Sequence, residues 1–221
     1  MFNGVLKGLS PRFLSELASR LKTHLRRSNP EELGEKDAAW YDRYYSQFRG
    51  KREHYSKSEY YFLWAVIADR MVRAGTRSIL EIGCGRGRMA TLLRDKGFTE
   101  YTGFDFSAEQ IGVARQDCPE FRFEVANAFD TDLYDRCFYD TTICTEILEH
   151  VRDDIEILRK IRPGTRFYGS VPNFPFVSHV RCFADEKEVA ERYGAFFRNF
   201  QIDTFPLKPG KIIYILEGVK I

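Results

Sequence analysis

The chain has 221 residues, with 34 Lys and Arg against 32 Asp and Glu, and 43% of its residues are hydrophobic. That length suits one domain with an N-terminal appendage, and no run approaches the roughly 20 uninterrupted apolar residues of a membrane span. A net charge of +2 singles out no nucleic-acid partner, and five scattered cysteines without a CxxC pair argue against structural zinc and for a reducing, cytoplasmic setting.

Residues 1–28 come first. Leu14, Leu17, Leu21 and Leu25 fall at helical spacing while Arg20, Lys22, Arg26 and Arg27 lie largely off that stripe, which predicts a basic amphipathic helix. Three uses stay open for residues 1–27: docking on the domain or a partner, peripheral association with a membrane surface, or targeting. Asn29-Pro30 then marks a turn. Residues 29–64 form a second unit, in which "WYDRYYSQFRGKREHYSKSEYYFLW" mixes rings with Lys51, Arg52, His54 and Lys57. This composition predicts a helical cap, or a lid gripping an aromatic or anionic ligand.

Residues 65–221 alternate between strand and helix patterns. The apolar or alternating runs "RSILEIG", "YTGFDFS", "EFRFEVANAF", "YDTTICTEI", "TRFYGSVPN", "FFRNFQIDTF" and "KIIYILEGVKI" read as seven strands. "GRMATLLRDKG", "AEQIGVARQDC" and "EHVRDDIEILRKI" read as intervening helices. The last two runs lie too close for a helix between them. The expected fold is therefore α/β: a Rossmann-like, doubly wound, seven-stranded, mostly parallel sheet with an antiparallel terminal hairpin, plus the N-terminal helical cap.

The first βα turn, "EIGCGRGRMA", has Gly83, Gly85 and Gly87, so its backbone can approach a ligand closely. A dinucleotide loop would place a further glycine where Arg88 stands, which argues against a nicotinamide oxidoreductase. Glu81, two positions before the first glycine, adds negative charge that disfavours a phosphate and favours a cation. Arg86 and Arg88 read as solvent-facing or helix-start residues. Asp105, at the end of the second strand, is placed to accept both hydroxyls of a ribose.

"ILEIGCGRGRMATLL", "YTGFDFS", "VANAF", "TTICTEILEHV" and "PGTRFYGSVPN" resemble, in order and spacing, the motifs of class I S-adenosylmethionine-dependent methyltransferases over roughly residues 60–221. The resemblance implies S-adenosylmethionine as cofactor. It implies that Glu81, Gly83, Gly85 and Gly87 surround the methionine portion and sulfonium, with Cys84 and Thr145 beside them. Asp105 would hold the ribose, Phe106 would lie against the adenine, and Asn127-Ala128 would bracket its other edge. The family usually has aspartate at the position of Asn127.

In "TEILEHV", Glu146, Glu149 and His150 are spaced i, i+3 and i+4, so a helix would gather them on one face. His179 follows the fifth strand and returns to the same edge. Glu146, Glu149, His150 and His179 could hold Mg²⁺ or Mn²⁺; alternatively His150, His179 or Glu146 removes the acceptor's proton, or the set only lines a pocket. The pattern resembles that of ubiquinone-pathway O-methyltransferases and, less closely, of small-RNA 3′-terminal 2′-O-methyltransferases. The short interval between the two histidines and the lack of a large basic insertion disfavour an RNA acceptor, leaving O- or N-methylation of a small or amphiphilic molecule. A non-catalytic cofactor-binding module is the alternative from another class. Oligomeric state has no signal.

Overall fold

The computed structural model describes residues 34–47 and 53–221. The predicted amphipathic helix of residues 1–28 lies outside the described residues, as do residues 48–52 of the aromatic stretch. Helix α1 (Ala38–Ser46) starts where the Asp37 carboxylate accepts the Trp40 backbone N–H at 2.7 Å. None of its residues is fully buried. A 3₁₀ turn (Tyr55–Lys57) leads into α2 (Tyr61–Arg73), which buries Leu63, Ile67, Ala68 and Met71 along one stripe. Gly75, at φ +68°, follows the helix end.

The elements that follow alternate as β1 (Ser78–Ile82), α3 (Arg88–Asp95), β2 (Glu100–Asp105), α4 (Ala108–Asp117), β3 (Arg122–Val125), α5 (Leu133–Arg136) and β4 (Thr141–Thr145). Then come α6 (Asp154–Lys160), β5 (Arg166–Pro172), α7 (Glu186–Tyr193), β6 (Phe197–Lys208) and β7 (Lys211–Lys220). The strands form one sheet in the order β3-β2-β1-β4-β5-β7-β6. β7 is antiparallel to both its neighbours, and the other pairs are parallel. The seven runs expected from the sequence are the seven strands, and the expected terminal hairpin is β6–β7.

Hydrophobic residues of α2, α3 and α4 cover one face of the sheet, among them Leu63, Met71, Leu92 and Ile111. The opposite face is covered from α5, α6 and α7 by Leu133, Ile157, Leu158, Val189 and Tyr193. β1 and β4 are buried at every position, as central strands covered on both faces should be. Strand order reverses between β1 and β4, which opens a crevice at their carboxyl ends. Among the described residues no helix is long and apolar enough to cross a membrane.

Candidate active site

Gly83, Gly85 and Gly87 all adopt positive φ, at +69°, +51° and +75°, so each occupies backbone that other residues rarely tolerate. The amides of Gly83 and Cys84 donate to the Phe104 carbonyl at 2.8 and 3.0 Å, which ties the loop to the end of β2. Asp105 completes the tie: its carboxylate accepts the Gly85 N–H at 3.0 Å and the Ser107 N–H at 2.9 Å. Burial raises the Asp105 pKa to about 6 against the pull of those amides.

Gly87 and Glu81 are both buried. Gly87 packs under the site instead of facing it: a Cβ there would meet the Cβ of Ala114 at 3.1 Å, so this glycine serves close packing of α3 on α4. Glu81 is 3% exposed and accepts the Tyr101 hydroxyl at 2.5 Å. Burial lifts its pKa to about 7, above the ordinary carboxylate range.

Glu81, Gly83, Cys84, Gly85, Asp105, Phe106, Asn127, Ala128, Thr145, Glu146, His150 and His179 all line one cavity of about 1170 Å³. The Asn127 side-chain oxygen accepts the Phe129 amide at 2.9 Å. α1 forms one wall. Its Tyr41 ring lies 5.3 Å from the partly exposed Phe106 ring, the Tyr41 hydroxyl lies 3.0 Å from Nδ1 of His150, and Asp42 accepts the Ser107 hydroxyl. The aromatic stretch thus reaches both the loop after β2 and the residues after β4.

Glu146 to His150 form a turn, not a helix. Glu146 sits at φ +56°, and its amide and carboxylate bond reciprocally with the Ser170 hydroxyl, at 3.0 and 2.8 Å. The Tyr60 hydroxyl is a further partner of that carboxylate, and burial pushes the Glu146 pKa up. The turn's carbonyls are collected from the segment after β5. Val180 N–H donates to Glu149 O at 2.7 Å, and the Arg181 guanidinium donates to Leu148 O, Val151 O and Arg152 O. These bonds replace the helical ones that the spacing predicted.

Glu149, His150 and His179 nevertheless converge, with one ligand atom of each within 4.8 Å of the others, while Glu146 stands apart. Nδ1 of His150 donates to the Ser178 carbonyl at 3.1 Å, and Nδ1 of His179 donates to the Phe174 carbonyl at 3.1 Å. A carbonyl only accepts, so Nδ1 carries the hydrogen in each ring and Nε2 keeps its lone pair. Burial, then the neighbouring His179, depresses the His150 pKa to about 3; burial depresses that of His179 as well. Glu149 is completely buried, and among the described residues neither of its carboxylate oxygens has a hydrogen-bond partner. Its pKa is driven up by burial and by the charge of Glu146.

Sequence reasoning missed Ser170 and Arg181 as contributors to this site, while Tyr41 and Tyr60 fall in the aromatic stretch read as a cap or lid without being singled out from it.

The profile of the methyltransferase-domain family matches residues 14–202. A ubiquinone biosynthesis O-methyltransferase from Aeromonas salmonicida is 34% identical over 105 residues, which is 44% of this chain and 44% of that protein. The match therefore spans less than half the length of this relative. Among solved structures, a Burkholderia thailandensis 1,6-didemethyltoxoflavin-N1-methyltransferase with bound 1,6-didemethyltoxoflavin and S-adenosylhomocysteine aligns with a TM-score of 0.62 at 20% identity. That alignment covers 83% of this chain and 86% of the other. A magnesium protoporphyrin IX methyltransferase from Synechocystis PCC 6803 with bound S-adenosylmethionine aligns at 0.60 and 17% identity, over 84% of this chain and 98% of its own. At these identities the two structures share the fold.

Proposed function

The chain belongs to the methyltransferase-domain family, and we propose that it transfers the methyl group of S-adenosylmethionine to a hydroxyl of a small or amphiphilic acceptor. When bound, the cofactor supplies a methyl carbon on a sulfonium; that carbon joins the acceptor oxygen as its bond to sulfur breaks, the electron pair staying on sulfur. The glycine loop and Asp105 bind the methionine and ribose portions, and Phe106, Asn127 and Ala128 bracket the adenine. α1, with Tyr41 against Phe106 and His150, excludes water from the acceptor end.

Proton removal falls to the residues after β4. A histidine with its pKa depressed to about 3 is a weak base but a competent ligand. Glu146, whose carboxyl is raised by burial and lines the cavity, is better matched to taking the acceptor's proton near neutral pH.

The observation that carries the reading of the acceptor end is the completely buried, unpartnered Glu149 carboxylate beside two imidazoles whose Nδ1 hydrogens are fixed on carbonyls. An isolated buried carboxylate is costly unless paired or bound to a metal. This donor set fits a divalent ion, and two imidazoles suit Mn²⁺ better than Mg²⁺. Glu149, His150 and His179 would hold it, and it would supply Lewis-acid lowering of the acceptor hydroxyl's pKa. The carbonyl bonds to the two Nδ1 atoms orient both rings for that role.

The test uses the purified chain with S-adenosylmethionine and a panel of catechol-like phenols, hydroxylated aliphatics and amines. Methyl transfer to an oxygen acceptor, lost after chelation and restored by Mn²⁺, is expected, with Glu149→Gln and His179→Ala abolishing Mn²⁺ uptake. Activity that persists through chelation removes the metal. Transfer confined to amines removes the hydroxyl acceptor.

A further inference from the structure

The β6–β7 hairpin also reaches the cavity, with Leu207, Lys208 and Lys211 in its wall. Lys208 and Lys211 are cross-strand partners on either side of the turn at Pro209-Gly210. Like charges in such a pair repel, so each ammonium calls for a counter-charge. Lys208 has one, since its Nζ is ion-paired with Glu59. Among the described residues Lys211 has no carboxylate at ion-pair distance, and its Nζ lies instead 4.5 Å from the centroid of the Phe174 ring.

Two features fix where that charge stands. Asn173, next to Phe174, clamps the start of β7: its backbone N–H donates to the Ile212 carbonyl at 2.9 Å, and its side-chain oxygen accepts the Ile212 N–H at 2.7 Å. The Phe174 ring in turn lies 6.2 Å from the His179 ring, and the Phe174 carbonyl takes the Nδ1 hydrogen of His179. The ammonium and the imidazole thus border the same phenyl ring, and the charge of Lys211 adds to burial in lowering the His179 pKa.

A free cation is an unfavourable neighbour for residues suited to a divalent ion, because the two repel. Lys211 is exposed, so its charge is open to whatever enters the cavity. The rings of Phe174, Phe176 and Trp64 line the same cavity and suit an aromatic body. With Lys208 already neutralised by Glu59, one point charge is on offer, which matches a carboxylate better than a phosphate dianion.

We propose that Lys211 binds a carboxylate of the methyl acceptor and so selects hydroxylated aromatic acids over neutral phenols. This selection rests on methyl transfer to a hydroxyl: the acceptor's oxygen turns toward Glu149, His150 and His179 while its acid group points to the hairpin. Lys211 stays away from the reacting atoms, and its replacement changes which acceptor is chosen.

The experiment titrates the wild-type chain, Lys211→Arg, Lys211→Met and Lys211→Glu, each saturated with S-adenosylhomocysteine, with catechol, 3,4-dihydroxybenzoate and dopamine. The probes share a dihydroxylated ring and differ in charge. Methylation of the same probes is then measured with S-adenosylmethionine. The wild type is expected to bind 3,4-dihydroxybenzoate about 5- to 20-fold more tightly than catechol, the range for a partly exposed hydrogen-bonded charge pair, with the advantage shrinking at high salt. Lys211→Arg should keep this preference, Lys211→Met should erase it, and Lys211→Glu should reverse it in favour of dopamine. All four proteins should bind S-adenosylhomocysteine within about twofold of one another, since the hairpin is remote from the glycine loop in the sheet. Equal binding of the probes by the wild type, or a preference unmoved in Lys211→Met, overturns the role of Lys211 and leaves transfer to a hydroxyl standing. Methylation confined to the amine of dopamine, with the binding preference still set by Lys211, removes the hydroxyl reading and leaves the carboxylate site in place.

Discussion

Asp105→Asn separates the two tasks of that carboxylate. One oxygen accepts the Gly85 amide and the other the Ser107 amide, so in the variant one of these N–H groups faces an amide NH₂ instead of an acceptor. The negative charge offered to the ribose hydroxyls is lost as well. At about 1.5 kcal/mol for a hydrogen bond to a charged group, losing the ribose pair costs about 2 to 3 kcal/mol, which is about 30- to 150-fold in affinity. The wild type carries a second fingerprint. Because the free carboxyl titrates at about 6 and ribose hydroxyls donate to its ionised form, binding requires the proton to leave. Affinity for S-adenosylhomocysteine should therefore fall about tenfold between pH 7 and pH 5 on account of this group. Asp105→Asn should lack that limb. Isothermal titration at constant ionic strength from pH 5 to 8 measures both. A variant that binds within twofold of the wild type, or that retains the limb centred near pH 6, refutes the role of Asp105.

Three further perturbations probe the rest of the site. Gly83→Ala forces an L-residue to φ +69° and sets its Cβ 2.0 Å from Cδ1 of Ile147; about 2 kcal/mol of strain should lower the melting temperature by about 4 to 8 °C, and an unshifted melt would mean that the loop relaxes freely. Asp154→Asn removes the charge from a completely buried carboxylate that meets Arg192 at 2.5 Å, Tyr193 at 2.7 Å and Arg181 at 3.1 Å. Leaving those guanidinium groups uncompensated should cost about 3 to 5 kcal/mol in urea unfolding, and a wild-type midpoint would show the cluster to be dispensable. Glu146→Gln should cut turnover by about 10²- to 10⁴-fold with cofactor affinity unchanged. In the wild type, activity should fall as pH drops, with the limb above the ordinary carboxylate range because burial raises Glu146; a fully active variant excludes Glu146 as the base.

The sheet was legible because its runs of β-branched and aromatic residues are short and punctuated by turn residues, whether buried throughout as in "SILEI" and "TTICT" or largely exposed as in β6. Asp105 was legible for a related reason: a carboxylate at a strand's carboxyl end, one βα unit after a glycine turn, has few other uses. The turn at Glu146–His150 was not. Its residues have helical spacing, but the bonds that decide its shape come from Val180 and Arg181, some thirty positions away, and no local pattern reports a carbonyl claimed by a distant guanidinium. Glu146 in left-handed backbone is equally silent, since its partners there, Ser170 and Tyr60, come from distant parts of the chain. Arg88 does open α3, as its place after the glycines suggests, but both Arg86 and Arg88 are half-buried and line the cavity with residues of α1 and Glu53, a long-range placement that no local pattern reports.

The position of β7 bears on how the molecule assembles. It follows β6 in the chain but lies between β5 and β6 in the sheet, bonded to both. During synthesis β6 therefore emerges with no place to attach, and waits until residues 211–220 supply the missing strand. The four strands nearest the glycine loop have no such dependence, since β1 to β4 form a contiguous stretch of residues 78–145 that pairs within itself. The half that carries the glycine loop can thus mature on the ribosome well before the half built on β5, β6 and β7, and a nascent chain paused near residue 210 would leave an open strand edge prone to pairing with another copy.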